Sequence, residues 1–294
     1  MTAKPDDQGP TIATLVRESF YRLFADEAIP LAGNIAFRTV FSVFPFLIFL
    51  TALAGFFGND NLAEGVVTFL LSVAPPRLVE PLVPEIRSIL TVPRSGLLSL
   101  SALITIWSAM GGVDSVRVGL NRAYDIRETR SMWWLYFQNV LFVIGSAVFL
   151  LAFALLIVFA PVMIQVAEIY APALKGHFVT IEQLRYPIGI VLLTAGVLLC
   201  HRVLPAKALN MLELLPGVVI TVVAWVLMSS AFSIYLVNFN TFASTYASLS
   251  GVFAAMFFVY LAALVLILGG EVNRVLVVRR IMRMQRFARE NAEV

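Results

Sequence analysis

The sequence predicts an all-α, polytopic membrane protein. Six spanning helices are expected, with an N-terminal amphipathic helix and a short extracytoplasmic helical hairpin. Three observations carry this. Of 294 residues, 60% are hydrophobic and only 13% are charged, with a mean hydropathy of +0.89; soluble domains lie at roughly 45–50% apolar and about 25% charged. Six apolar runs approach or exceed the about 20 residues a spanning helix needs. Finally, Lys and Arg fall unevenly between the two sides those runs define.

The runs cover residues 31–57, 96–113, 133–161, 186–204, 214–237 and 248–270. The third is over-long, and its start carries Trp133, Trp134 and Tyr136, an aromatic belt suited to a membrane–water interface. Between runs, Arg77, Arg87, Arg94, Lys175 and Arg185 fall on one side, whereas 15 of the 21 Lys and Arg residues fall on the other. Positive charge collects on the cytoplasmic side, so both termini are expected inside. Three regions follow: a cytoplasmic arm over 1–29, the spanning domain over 30–273, and a basic cytoplasmic tail over 274–294.

Within the arm, Ile12, Leu15, Val16, Phe20, Leu23 and Phe24 recur at helical spacing, with Arg17 and Arg22 off that face. This pattern suits a helix lying on the membrane surface. Residues 59–95 hold Pro75, Pro76, Pro81, Pro84 and Pro93 around apolar stretches too short to span, hence the expected hairpin or re-entrant element. The polar start MTAKPDDQGP shows no cleavable-signal pattern, so the first run is expected to serve as the targeting signal.

Cys200 is the single cysteine, and His177 and His201 are the two histidines. This excludes an intrachain disulfide and a cysteine metal site. No metal or organic cofactor is expected. No HExxH, phosphate-loop or GxSxG motif occurs, so the chain reads as a non-enzyme.

Arg38 is the only charge between Pro30 and Gly58. At a bilayer centre an arginine costs about 2.5–3.5 kcal/mol on insertion scales. Arg38 lies seven residues after Leu31, so about 10 Å deep. Asn34 and Ser42, one turn to either side, share its face. Asp114 follows the second run and Glu271 the sixth, with Asn273 just beyond, so all are expected at the same membrane side. Glu271 at a helix end should want a cation. An ion network of Arg38 with Glu271 or Asp114 is therefore expected, serving either as a head-group site and gate or as a clamp between helices. Asp114 to Arg130 reads as a helix continuing from the second run. Arg117, Asn121, Arg122, Asp125, Glu128 and Arg130 on it form either a lipid-phosphate surface or a set of local ion pairs. His201 reads as a polar anchor and Cys200 as packing. Pro45, the Gly111–Gly112 pair ending the second run, and the small residues from Ser244 to Gly251 mark places where a helix could break, or where helices could approach closely.

Four segments together resemble a known family. They are LAGNIAFRTVFSVFPFL (31–47), WSAMGGVDSVRVGLNRAYDIRETRSMWW (107–134), LPGVVITVVAW (215–225) and YASLSGVFAAMFFVYLAALVLILGGEVN (246–273). Their order and spacing resemble the YihY/BrkB family of bacterial inner-membrane proteins. The LNRAY with its Glu-x-Arg, and the closing GGEVN, are the most specific parts. The resemblance implies six spans in the inner membrane. It also implies links to serum resistance and to lipid or lipopolysaccharide-precursor transport, and it brings an old ribonuclease BN label regarded as a misassignment. Arg38 departs from the family, which commonly has an aromatic there. The expected function is a transporter or translocator of lipids or other amphiphiles with a cationic cytoplasmic-side site. Membrane lipids, anionic ones included, are the expected partners, and nucleic acid is not. The alternatives are a structural or regulatory membrane partner and, third, a membrane-bound ribonuclease. Oligomeric state stays open, a homo-oligomer included.

Overall fold

A computed structural model describes residues 12–57, 64–65, 67–68, 83–84, 87–88, 95–160, 164, 175–207, 209–238 and 243–292. The long elements are all helical: α1 (Ile12–Ala25), α2 (Ala28–Phe57), α3 (Ser95–Ala123), α4 (Met132–Ala154), α5 (Lys175–Val203), α6 (Met211–Asn238) and α7 (Ala243–Ala292), with a π-helical turn at Leu155–Phe159 after α4. The chain is an all-α polytopic membrane protein. Among the described residues, α2, α4, α5, α6 and α7 each hold a stretch long and apolar enough to cross a bilayer. The predicted second run forms the first part of α3 but is not among these. Its serines and Thr105 lower the apolarity that Leu and Ile supply. Most of the expected hairpin (59–94), and residues 239–242 after α6, lie outside the described residues.

α3 continues past the second run, through Gly111 and Gly112, to Ala123, in line with the expected continuation. A helical glycine costs only about 1 kcal/mol relative to alanine, so neighbours can carry the helix past it. One boundary corrects the expectation: the helix does not reach Arg130. It stops at Ala123, and Asp125 takes a left-handed φ of 55°, a conformation Asp tolerates and helices do not continue. α2 passes through Pro45 without interruption. The backbone from Ala243 onward is helical, so Ser244–Gly251 is not unwound.

The chain forms two compact units. The first comprises residues 1–36 and 113–294. Its interior joins Leu120, Tyr124, Val197, Leu204, Leu214, Val218, Val222 and Leu266. A neighbouring cluster holds Leu23, Ala28, Ala32, Ile35, Ala123, Ala263 and Ile267. α6 lies against both α5 and α7, and α1 lies along α7. The α6–α7 crossing is unusually close, since Gly217 faces Gly269 and neither has room for a Cβ. Small residues let membrane helices approach in this way. Trp225 Nε1 reinforces the crossing by donating to the Ala262 carbonyl at 2.9 Å.

The second unit comprises residues 37–112. There Arg38 Nη1 donates to the Gly111 carbonyl at 3.5 Å. A Cβ on Gly111 would come within 2.9 Å of the same nitrogen. Gly111 therefore gives the guanidinium room against α3.

Large apolar side chains stand open along the helices, among them Leu103, Trp107, Val148, Leu151, Val191 and Leu227. On a water-soluble surface, contiguous patches of this kind are rare; in a bilayer such faces meet acyl chains. Trp133, Trp134 and Tyr136 are exposed at the start of α4, which Ser131 caps by accepting from Trp134 N at 3.4 Å.

Candidate polar rim and its buried hydrogen-bond relay

At the end of α3 the chain turns sharply, and the turn is built on Glu128. Its Oε1 accepts from the backbone N–H of Thr129 and Arg130, both at 3.1 Å, and from Arg130 Nε at 2.9 Å. Its Oε2 accepts from Arg130 Nη2 and Arg117 Nη1, both at 2.8 Å, and from Asn121 Nδ2 at 3.1 Å. Arg117, whose side chain is 9% exposed, also pairs with Asp114. The hydrogen bonds from Arg130, above all, hold the Glu128 carboxyl down at about 2, because each favours the charged form.

This network also ties off α5. Arg130 Nη2 donates to the Leu204 carbonyl at 2.7 Å, and Gln138 Nε2 to the Val203 carbonyl at 2.6 Å. Arg130 Nη1 bonds Gln138 Oε1 at 2.8 Å. Asn121 Oδ1 accepts from Ala206 N at 2.8 Å. The last carbonyls of a helix have no partner within it, so Arg130 of the Glu-x-Arg motif and Gln138 of α4 cap α5, while Asn121 of α3 holds the chain just beyond it.

Deeper in the first unit runs a buried relay. Gly217 N–H donates to Asn273 Oδ1 at 2.7 Å, next to Pro216, which interrupts the α6 ladder. Asn273 Nδ2 donates to the Tyr124 hydroxyl at 3.1 Å. The Tyr124 hydroxyl lies 2.6 Å from His201 Nδ1. Having accepted from Asn273, Tyr124 donates its own hydrogen to Nδ1, which assigns the neutral Nε2–H tautomer to His201. Burial pushes the Tyr124 phenol well above its usual range, which keeps it a donor. Asn273 and His201 are fully buried. Tyr124→Phe strips Asn273 of its acceptor and His201 of its donor. It is expected to cost about 1–3 kcal/mol, the penalty for buried polar groups left unpaired, read as a lowered midpoint of thermal unfolding in detergent.

A third group surrounds the turn between α1 and α2. Arg274 bridges Asp26 Oδ2 at 3.0 Å and Asp125 Oδ2 at 2.8 Å. Arg122 Nε lies 3.9 Å from Asp26 Oδ1. Arg279 clasps Glu18 of α1 through Nε at 3.1 Å and Nη2 at 2.7 Å. Glu271 is fully buried beside this group.

The residues predicted from sequence thus divide. Asn121, Arg117, Glu128, Arg130 and Asp114 come together in one rim, joined by Gln138. Arg122 stands apart beside Asp26. Asn273 belongs to the relay, and Glu271 packs near Asp26. Asn34 donates to Ser115 Oγ at 3.1 Å, and Ser42 donates to the Thr39 carbonyl at 2.7 Å. Arg38 lies in the other unit, with Gly111. Asp26 and Gln138 stand in no motif of the sequence, whereas Tyr124 stands inside LNRAY. Among the described residues, no three His, Cys, Asp or Glu side chains are placed to hold a metal ion.

Known proteins match this sequence along its length. The chain is 27% identical over 265 residues to the putative ribonuclease-like protein YfkH of Bacillus subtilis (strain 168), covering 90% of this chain and 95% of that protein. No solved structure matches it. The sequence profile of the virulence factor BrkB family matches residues 19–293, which takes in the rim, the relay and all of α2 to α7. The chain belongs to the virulence factor BrkB family.

Proposed function

We propose that this protein is a transporter or translocator of lipids or other amphiphiles in the bacterial inner membrane. In this reading both termini are cytoplasmic, and a cationic head-group site lies at the rim. One observation carries it. The rim carboxylates are taken up inside the fold by Arg117, Arg130, Arg274 and Arg279, while the side chains of Arg122 and Arg280 remain 52% and 66% exposed. Each is only loosely paired, Arg122 at 3.9 Å from Asp26 and Arg280 at 3.6 Å from Glu213, so both can also meet an anion at the membrane surface. Cations placed there attract anionic head groups at about 1 kcal/mol each near the surface. Arg38, with Asn34 and Ser42 on its helix, is the deepest cation in this scheme.

The ribonuclease name of the relative suits this chain less well. Phosphodiester hydrolysis assisted by metal ions wants several open carboxylates converging on one point. Here Asp114, Asp125 and Glu128 each hold an arginine already. A structural or regulatory role is the second reading. It is favoured by the end of α7, which exposes Arg283, Arg286 and Arg289 beside Met282 and Met284, a basic amphipathic surface fit for a partner.

Native mass spectrometry of the purified protein tests the proposal. Wild type is expected to retain an anionic lipid selectively, and Arg38→Ala to lose it while eluting as a folded species. Absence of a selective lipid in wild type, or a variant that does not fold, would make Arg38 a clamp and favour the second reading.

A further inference from the structure

α7 has 50 residues and so extends about 75 Å, more than twice the about 30 Å of a hydrocarbon core. Its apolar part ends at Gly270, and Glu271 opens the polar extension. Glu271 is fully buried, and among the described residues neither of its carboxyl oxygens meets a hydrogen-bond donor. The group within hydrogen-bonding reach is another carboxyl, that of Asp26. Two carboxylates are both acceptors and cannot bond unless one carries a proton.

The surroundings decide which one carries it. Asp26 Oδ2 receives Arg274 at 3.0 Å, and its Oδ1 faces Arg122 at 3.9 Å. Arg274 spends its other nitrogen on Asp125 at 2.8 Å. Arg22 of α1 lies near Glu271, but its Nη2 faces Glu18 at 3.5 Å. Tyr124, after α3, stays a neutral hydroxyl bonded to Asn273 and His201. α6 packs on this part of α7 with Leu214, Gly217, Val218 and Thr221, none of which titrates. Its Glu213 faces Arg280 at 3.6 Å. Arg274 and Arg22 thus lie near Glu271, but among the described residues neither donates to its oxygens, and the bonds of Arg274 go to Asp26 and Asp125. An ionised carboxylate buried without partners is costly, and it takes up a proton instead.

We propose that Asp26 and Glu271 form a proton-binding pair, with the proton on Glu271 and its O–H donating to the Asp26 carboxylate. The geometry gives the pair a structural consequence. Asp26 sits in the tight turn between α1 and α2, where Glu27 takes a left-handed φ of 58°. Loss of the proton to water sets two adjacent negative charges between that turn and α7, which drives them apart. If the transporter reading is right, this is the coupling site, and the proton is the driving ion. The proton site itself stands without that reading.

Infrared difference spectroscopy on purified full-length protein tests it, with no substrate present. Wild type at neutral pH is expected to show a protonated-carboxyl C=O band that shifts in D2O. Glu271→Gln, which mimics the protonated acid in shape and charge, is expected to fold normally and lose the band. Asp26→Asn supplies an amide donor in place of a carboxylate, so Glu271 ionises and the band is lost there too. A band that persists in Glu271→Gln overturns the proposal. So does a Glu271→Gln protein that cannot fold, since that would mean the ionised form is required. A band that behaves as expected, combined with pH-independent lipid or solute flux in reconstituted vesicles, would leave the proton site in place and remove the transporter reading.

Discussion

Gly217→Ala is expected to destabilise this protein more than any other single methyl group added to it. The new Cβ would meet the Gly269 carbonyl oxygen and would lie 2.6 Å from Asn273 Cγ. The first obstacle is backbone and cannot rotate away. The second is a side chain fixed by its bonds to Gly217 N and the Tyr124 hydroxyl. α6 and α7 must therefore separate, which opens the relay as well as the crossing. Overpacking alone costs about 1–3 kcal/mol, and unpairing the buried amide adds about 1–3 kcal/mol. A loss on the order of 4 kcal/mol would exhaust much of the about 5–15 kcal/mol available to an ordinary domain. The expected readout is a collapse of the monodisperse peak in detergent. Gly269→Ala should behave alike, since its Cβ meets Thr221 Oγ1 and lies 2.8 Å from the Gly217 carbonyl. Gly145→Ala in α4, with nothing within 4 Å of the new Cβ, is the control; there alanine gains up to about 1 kcal/mol of helix propensity. Equal behaviour of Gly217→Ala and Gly145→Ala would show that α6 and α7 do not cross closely.

Much of the fold is written in apolar runs, because a spanning helix satisfies its own backbone and needs only length and hydropathy. The starts of α2, α4 and α6 fall within about three residues of the expected ones for that reason, a scatter usual for helix ends. What runs do not encode is where a helix continues after its apolar part stops. α3 passes Gly111–Gly112, and α7 continues to Ala292, because charged residues at helical spacing are good helix formers once the membrane no longer selects against them. The rim was partly legible. Asn121, Glu128 and Arg130 stand close in sequence, and charges crowded on a turn have few partners besides one another. The relay was not legible. Tyr124 bonds residues 77 and 149 positions away, and no local pattern announces such a meeting. Asp26 was hidden for a different reason: it sits in a two-residue turn whose composition is that of any polar loop.

Arg130→Ala carries the other large expected effect. It removes the donors that hold Glu128 and Gln138 and uncaps the Leu204 carbonyl of α5 in one step. Breaking one member of a partly buried ion network costs about 3–5 kcal/mol, mainly because the partners stay behind unpaired. Arg117 keeps Asp114 and Glu128, which places the expected loss near about 3 kcal/mol, the lower end of that range. Arg130→Lys separates charge from geometry. A lysine restores the charge but not the fork that spans Glu128, Gln138 and Leu204, so only a minor part of the stability should return. The pH profile gives an independent check. The native Glu128 carboxyl titrates at about 2, below the about 4.3 of an unfolded glutamate. The lowered native value means that the pairing contributes fully above the unfolded value, declines as pH falls below it, and is gone once pH passes below the native value. Wild type and Arg130→Ala should therefore differ most in thermal midpoint near neutral pH and converge as pH falls from about 4 towards about 2. A gap that stays constant down to low pH would mean that Arg130 acts through the α5 carbonyl alone, and that the Glu-x-Arg motif is a helix cap in which the glutamate has little part.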